Sequence, residues 1–550
     1  MPNQASSDRK IVAGRSIRWD AARAADAYDR GLWIHETLAD TLQQAATQTP
    51  DRTVLVDGDI RLDCRTLHEQ AGRLAQALLQ RAPRGSVVSF MLPNWHEAAV
   101  IYLGATLAGM VVNPILPSLR DRELRFILED VDSRFMFIPE AIRKHDYAAM
   151  LSRVVDALPS PPHVVVVRGD AGPHLAYDTL LAYTPAPAPG ALTAPDPDAV
   201  RMILYTSGTT GRPKGVLHTH NSIHALMCQL REHWLVDPGD RFLVPSPIAH
   251  IGGSIYAFEA PLLLGTTAVL MERWDADAAV ALMQSEHCTH MAGATPFLEQ
   301  ILAAAERAGT RLPDLKLFVC GGASVPPSLI RRAQAYFDGA IVTRVYGSTE
   351  VPVATVGATR RDEADLAADT DGRGGLAELR LAAHDAARDG EGEICARGPQ
   401  MLVGYLHAED EATAFDADGF FRTGDIACLV NDDYVVVTGR AKDIIIRKGE
   451  NISPKEVEDM LIGHPDIAEI AIVGLPDPDS GERACAVIVP SSTPGPDVRA
   501  LADFLRERGV AMFKAPEQVE WRDALPKNDA GKVLKHQLRA ELMASGPDAA

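Results

Sequence analysis

From residue 54 onward the apolar positions fall into short blocks whose spacing alternates between strand-like and helix-like. Residues 54–62, VLVDGDIRL, place two apolar runs around Asp57-Gly58 and predict a β-hairpin. Residues 66–81 carry helical spacing and 87–92 are strand-like, and Asn94 with Glu97 forms a capping pattern for a helix ending at Met110. Residues 111–115 then read as a strand, 119–131 as an amphipathic helix and 135–138 as another strand, and HVVVV at 163–167 continues the series. Such alternation predicts a mostly parallel sheet covered by helices. It resumes between 223 and 345, where Val319-Cys320-Gly321-Gly322 and residues 342–347 each read as a strand ending in a polar turn. An open α/β sheet presents ligand groups at such ends.

The pattern changes around residue 375. Short β-like runs at 378–381 and 392–395, and a hairpin at 429–437 around Asn431-Asp432-Asp433, predict a β-rich subdomain at about 375–437. After GRAKD at 439–443, Ser453-Pro454-Lys455-Glu456 is a capping box with proline at the first helical position. Strands at 470–473 and 484–489 and a helix at 498–508 complete a small α+β unit. The expectation is an α/β protein: a large N-terminal domain of layered sheets over 1–440 and a small C-terminal α+β domain over 441–550. Residues 1–33 are expected to wrap the surface, and the Pro/Ala-rich stretch 184–198 to be a semi-rigid connector.

Composition narrows the class. The 550 residues are 46% hydrophobic and 23% charged, as in ordinary globular proteins, and suffice for several domains. A net charge of −20 argues against general affinity for nucleic acid or anionic membranes. If so acidic a chain binds a polyphosphate, it must do so with locally focused Lys, Arg and a divalent metal. Its seven cysteines are scattered, odd in number and never in CxxC spacing, so neither a disulfide framework nor a zinc site is indicated. The first residues hold no apolar signal core. The longest apolar tract, 98–112, has fifteen residues with two glycines, which predicts a core helix in a cytoplasmic protein without stable membrane insertion. Oligomeric state is not legible, and a homo-oligomer stays open.

The stretch that carries chemistry is YTSGTTGRPKG at 205–215, preceded by the apolar run Met202-Ile203-Leu204 and followed by Val216-Leu217. A buried strand thus delivers a polar loop. Gly208, Gly211 and Gly215 let backbone N–H groups converge on an oxyanion, Thr206, Ser207, Thr209 and Thr210 add hydroxyls, and Lys214 adds charge. Lys214 precedes Gly215 and no hydroxyl residue follows it, so this is not the Walker pattern, and GxGxxG spacing is absent.

The eleven residues resemble the signature loop of the adenylate-forming superfamily, which includes acyl-CoA synthetases, peptide-synthetase adenylation domains and luciferases. Further motifs follow in that family's order. In YGSTE at 346–350, the resemblance implies that Tyr346 packs on adenine, Thr349 contacts the α-phosphate and Glu350 helps hold Mg²⁺, as suits a hard carboxylate ligand. It implies pocket-lining backbone at Gly321, Gly322 and Ala323, ribose binding by Asp425 of Thr423-Gly424-Asp425, and ribose and phosphate contacts by Arg440. Lys442 stands at the family's hinge, Lys448-Gly449 at its pantetheine tunnel, and His250 of PSPIAHIGG at the gate of the acyl pocket. In LPKNDAGKVL at 525–534, Lys532 takes the position that bridges the substrate carboxylate and the α-phosphate.

The implied activity is that of an acyl-CoA ligase acting in two steps with ATP, Mg²⁺ and coenzyme A, the small domain swinging between them. The stretches expected to line the acyl pocket, Ile251-Gly252-Gly253-Ser254, 291–295 and Val351-Pro352-Val353, hold no Arg or Lys for a second carboxylate. The residue after His250 is Ile251 where the aryl-acid branch carries Asn, which disfavours a 2-hydroxyaryl acid. A medium-chain fatty, alicyclic or simple aromatic monocarboxylic acid is therefore expected. The alternatives are loading of a carrier protein, a luciferase-like oxidation of the acyl-AMP, and a silent nucleotide-binding protein, the last disfavoured by Lys532, Glu350 and Asp425.

Overall fold

The computed structural model describes residues 9–182, 195–206, 212–322, 325–385, 387, 390–447, 450–477, 480–528 and 531–545. Most of the larger domain is built on two seven-stranded sheets. The first runs Leu175–Ala176, His163–Val167, Ser133–Pro139, Val87–Phe90, Val111–Pro114, Val200–Thr206, Lys214–Thr219. All its neighbours are parallel except the last two strands, which form an antiparallel hairpin. The second runs Ile341–Arg344, Leu317–Cys320, His290–Gly293, Arg241–Val244, Thr267–Leu270, Thr53–Asp57, Ile60–Asp63, again parallel but for its last hairpin. That hairpin turns at Gly58, whose φ of 55° a glycine adopts without strain.

The largest core lies between the sheets. Val88, Phe90 and Val112 from the first meet Leu55, Phe242, Val244 and Ala268 from the second, with the helices Cys64–Leu79, His96–Leu107 and His220–His233 among them. Residues 97–107 are buried on every side, which explains why the apolar tract shows no polar face. No helix among the described residues is long and apolar enough to cross a membrane.

Two expectations are corrected. The helix His96–Leu107 starts after Trp95 without a side-chain cap. Asn94 is used elsewhere: its amide donates to the carbonyls of Val244 and Ser246 at 3.0 and 2.9 Å and accepts from Ile248 N at 3.1 Å, joining the two sheets. The N-terminal region does more than wrap the surface, for Arg9–Val12 and Arg15–Arg18 form a hairpin, Ala21–Asp29 a helix, and Val12 and Ile17 are buried.

A four-stranded antiparallel sheet follows, in the order Glu378–Ala382, Glu391–Arg397, Phe421–Val430, Tyr434–Arg440. The small C-terminal domain holds a sheet of Glu450–Ile452, Ile445–Arg447, Gly481–Pro490 and Ile467–Asp477, with Gln518–Trp521 parallel to Gly481–Pro490. Its core gathers Ile445, Val457, Leu461, Ile488, Leu501 and Leu505. Ser453 caps the helix Pro454–Leu461 by accepting from Glu456 N at 3.3 Å. All seven cysteines are free thiols.

One buried ion pair ties the scaffold together. Arg201, at a bulge in Val200–Thr206, lies 2.7 Å from Glu259, with both side chains 1% exposed. Tyr102 donates to the same carboxylate oxygen at 2.5 Å. Removing one member leaves an uncompensated buried charge, so Glu259→Ala should cost about 3–5 kcal/mol in urea unfolding, and the double change Arg201→Met with Glu259→Leu markedly less. Equal losses for the single and double variants would contradict this account.

Candidate active site

Parallel pairing puts the carboxyl ends of the second sheet's parallel strands on one edge. Val244 leads there to His250, Cys320 to Gly321 and Gly322, and Arg344 to Tyr346. Gly321 is needed for close approach, since a Cβ there would stand 2.8 Å from the Val345 carbonyl oxygen. His250 starts the short helix Ile251–Ser254, and its carbonyl accepts from Gly253 N and Ser254 N at 3.0 and 2.9 Å. A Cβ at Gly253 would stand 2.1 Å from the Pro247 carbonyl oxygen, whereas at Gly252 it would meet nothing within 4 Å.

The hairpin of the first sheet ends on the pair Thr206 and Lys214. Ser207, Gly208, Thr209, Thr210 and Gly211, which the sequence assigns to the phosphate loop, lie outside the described residues, as do Ala323, Lys448 and Gly449. Lys214 stands 3.8 Å from Asp410 and 5.2 Å from the centre of the Tyr405 ring.

Tyr346, Asp425 and Arg440 form one hydrogen-bonded group. The Tyr346 hydroxyl donates to Asp425 Oδ2 and Arg440 Nε to Asp425 Oδ1, both at 2.7 Å. Asp425 and Arg440 face each other across the antiparallel strands, so the sheet register itself sets their pairing. Burial, and then the Asp425 charge, push the Tyr346 phenol far above its ordinary range, which keeps it a neutral donor.

Thr349 and Glu350 are positioned by residues that the sequence reading missed. His218 Nε2 donates to the Thr349 carbonyl at 2.7 Å, and the Tyr405 hydroxyl donates to Glu350 Oε1 at 3.0 Å. The signal for His218 was faint: one polar residue directly after the apolar pair Val216-Leu217 in the strand Lys214–Thr219. Burial pushes its pKa down to about 4, so the imidazole is neutral and keeps its donor proton. The donor chemistry at Glu350 fits Mg²⁺, which takes one or two carboxylates and draws its other ligands from phosphate and water. The acidic cluster of Asp57, His96 and Glu97 lies elsewhere and already holds a cation, since Arg168 reaches Glu97 at 2.6 and 2.7 Å and Asp57 at 3.1 Å.

Lys532 arrives from the small domain. Asn528 N donates to the Lys532 carbonyl at 2.9 Å and Asn528 Oδ1 accepts from Lys532 N at 2.8 Å. Gly531, next to Lys532, has a φ of 79°, and a Cβ there would stand 3.6 Å from Pro296 of the large domain. Lys532 and Lys442 both keep contact with solvent. Even so, the protein crowded around each, followed by the Arg440 charge, lowers its ammonium pKa, with Asp425 and Asp443 partly opposing. The structure thus brings Tyr346, Asp425, Arg440, Lys442 and Lys532 into one electrostatic neighbourhood.

The family model of AMP-binding enzymes matches residues 42–406, and that of the AMP-binding enzyme C-terminal domain matches 456–532. The chain is 33% identical over 544 residues to the medium-chain fatty-acid–CoA ligase of Escherichia coli K12, covering 96% of this chain and 94% of that protein. It is 32% identical over 538 residues to 2,3-dihydroxybenzoate-AMP ligase of Bacillus subtilis 168, covering 95% and 96%. Among solved structures, ATP-bound MatB from Rhodopseudomonas palustris superposes with a TM-score of 0.82 at 25% identity, over 94% of this chain and 100% of that one.

The buried His218 also makes stability depend on pH. In the unfolded chain it titrates near 6.5 and in the folded chain near 4, so the unfolded state binds the proton first. Its contribution is complete above about pH 6.5 and is lost as the pH falls towards 4, at up to about 1.4 kcal/mol per pH unit. Replacing it in His218→Gln should flatten the pH dependence of urea unfolding by about one proton, and an unchanged slope would refute the neutral buried assignment.

Proposed function

Given that this chain belongs to the AMP-binding enzyme family, we propose that it is an ATP-dependent carboxylic acid:CoA ligase acting on an apolar monocarboxylic acid. The observation that carries this reading is the convergence of Lys532 from the small domain with the Tyr346–Asp425–Arg440 group of the large one. In the first step the substrate carboxylate attacks the α-phosphorus of ATP, the bond to the β-phosphate oxygen breaks, and acyl-AMP and pyrophosphate form. In the second the CoA thiolate attacks the acyl carbon and AMP leaves.

An anionic nucleophile approaching a polyanion is opposed by charge. Lys532 and Arg440 supply fixed positive charge where negative charge gathers in the in-line transition state. Asp425 suits a pair of ribose hydroxyls because a carboxylate accepts two hydrogen bonds at once. Mg²⁺, when bound at Glu350, supplies further neutralisation of the phosphate oxygens. Tyr405 orients that carboxylate and His218 the Thr349 carbonyl, so both phosphate-side residues are fixed before substrate arrives.

The two curated relatives act on different acids, so the acid is argued from this chain. Ile251, Ala292 and Val353 are partly buried against the main core, and none of the stretches expected to line the pocket carries Arg or Lys. A medium-chain fatty, alicyclic or simple aromatic acid suits such walls. Lys442 serves as the hinge in this reading, with coenzyme A entering after the small domain turns.

Acid-dependent exchange of labelled pyrophosphate into ATP, run over a panel of acids, tests the reading. Exchange should be strongest with apolar monocarboxylates, and Lys532→Ala should lower it by about 10²-fold or more while slowing transfer from supplied acyl-AMP to CoA far less. Absence of exchange with every acid would overturn the ligase assignment, and a carrier protein outperforming CoA as acceptor would overturn the thioester step.

A further inference from the structure

Two cations beside the phosphate-loop hairpin share one carboxylate. Arg212 Nη2 lies 2.8 Å from Asp410 Oδ2 and Lys214 Nζ 3.8 Å from Asp410 Oδ1. Asp410 belongs to the 3₁₀ turn Ala408–Glu411. That turn follows Tyr405, whose hydroxyl holds Glu350 and whose ring faces Lys214.

The turn is anchored from behind. Glu411 pairs with Arg9 and Arg18 at 2.8 and 3.2 Å and accepts from Tyr405 N at 3.0 Å. His407 pairs at 2.8 Å with Asp130, which also accepts from the Tyr205 hydroxyl at 2.5 Å. Asp410 is itself only 12% exposed, whereas Arg212 is 41% exposed. A nearly buried anion therefore stands between an exposed cation, Arg212, and a partly buried one, Lys214, which is 17% exposed.

We propose that Asp410 is a positioning residue for the polyphosphate: it holds Arg212 and Lys214 in place before ATP binds, and its charge limits how tightly pyrophosphate is retained. This rests on the reading of the loop as a phosphate site. With the carboxylate present, the two cations amount to one net positive charge. Without it, two would face the pyrophosphate product and slow its departure. A residue whose role is only to hold the turn together would have the opposite effect, because losing it would loosen the site.

The sign of the charge effect gives the test. Binding of magnesium pyrophosphate is measured by calorimetry at low salt for the parent and for Asp410→Asn, Arg212→Gln and the double variant. Asp410→Asn should bind about tenfold tighter, Arg212→Gln correspondingly weaker, and the double variant like the parent, with the spread shrinking as salt screens the charges. In turnover, Asp410→Asn should lower KM for ATP and kcat together, and pyrophosphate should inhibit it more strongly. Equal or weaker pyrophosphate binding by Asp410→Asn overturns the proposal while leaving the ligase reading intact. Should Asp410→Asn not fold, an unchanged affinity in Arg212→Gln overturns it equally. If the parent binds neither pyrophosphate nor ATP, the ligase reading falls and this inference with it.

Discussion

Asp425 is the point at which the large domain's two halves and the small domain's lysine are brought to bear on one another. Its carboxylate takes a hydrogen bond from Tyr346, at the end of the second parallel sheet, and another from Arg440, across the antiparallel sheet. The same charge partly opposes the lowering of the Lys532 pKa. A chain carrying a net charge of −20 cannot attract a polyanion through its overall field, so its site must collect cations locally. The cations of the candidate site stand with counter-charges already in place: Asp425 on Arg440, Asp410 on Arg212 and Lys214. Each cation is thereby oriented in advance, and the cost of bringing like charges together is met during folding rather than at binding.

That arrangement requires the strand ends to be fixed relative to one another, which the core between the sheets provides. Asn94 joins the edge of the first sheet to Val244, Ser246 and Ile248, the segment leading into His250. Arg201 and Glu259 tie the strand Val200–Thr206, which leads into the Gly/Thr-rich motif, to the π-helical turn Ile255–Glu259 beyond His250. Both links are polar groups buried in an apolar layer, and both join elements that carry candidate site residues. Such links restrict the packing to arrangements that satisfy them, which a purely apolar layer would do less strictly.

Local pattern made much of this legible. The hairpin at Asp57-Gly58, the buried helix and the strand His163–Val167 follow from spacing alone, and Tyr346, Asp425 and Arg440, taken from separate motifs, form one hydrogen-bonded group. What escaped was set by distant partners. Asn94 has the sequence of a cap, yet its amide partner Val244 is 150 positions away. His218 meets Thr349 across 131 positions and Tyr405 meets Glu350 across 55. Neither pairing leaves a periodic trace, because a hydrogen bond between remote elements depends on sheet order. Alternating helices and strands predicted parallel sheets but could not say that there are two, or which edges face each other.

The placement of Lys532 bears on how one site could serve two reactions. Its geometry is set by Asn528, whose backbone and side chain both bind Lys532, and Lys527 is anchored to Glu469 of the same domain at 2.8 Å. The lysine is therefore not on a loose tail that could step aside alone. Against the large domain, a Cβ at Gly531 would stand 3.6 Å from Pro296, Asn451 donates to the Asp385 carbonyl at 3.2 Å, and Ser453 donates to the Thr438 carbonyl. Because both flanks of the lysine are anchored within the small domain, withdrawing it calls for moving that domain as a body. In the ligase reading proposed above, such a rotation is absorbed at Lys442, which stands beside Arg440 where the chain enters the small domain.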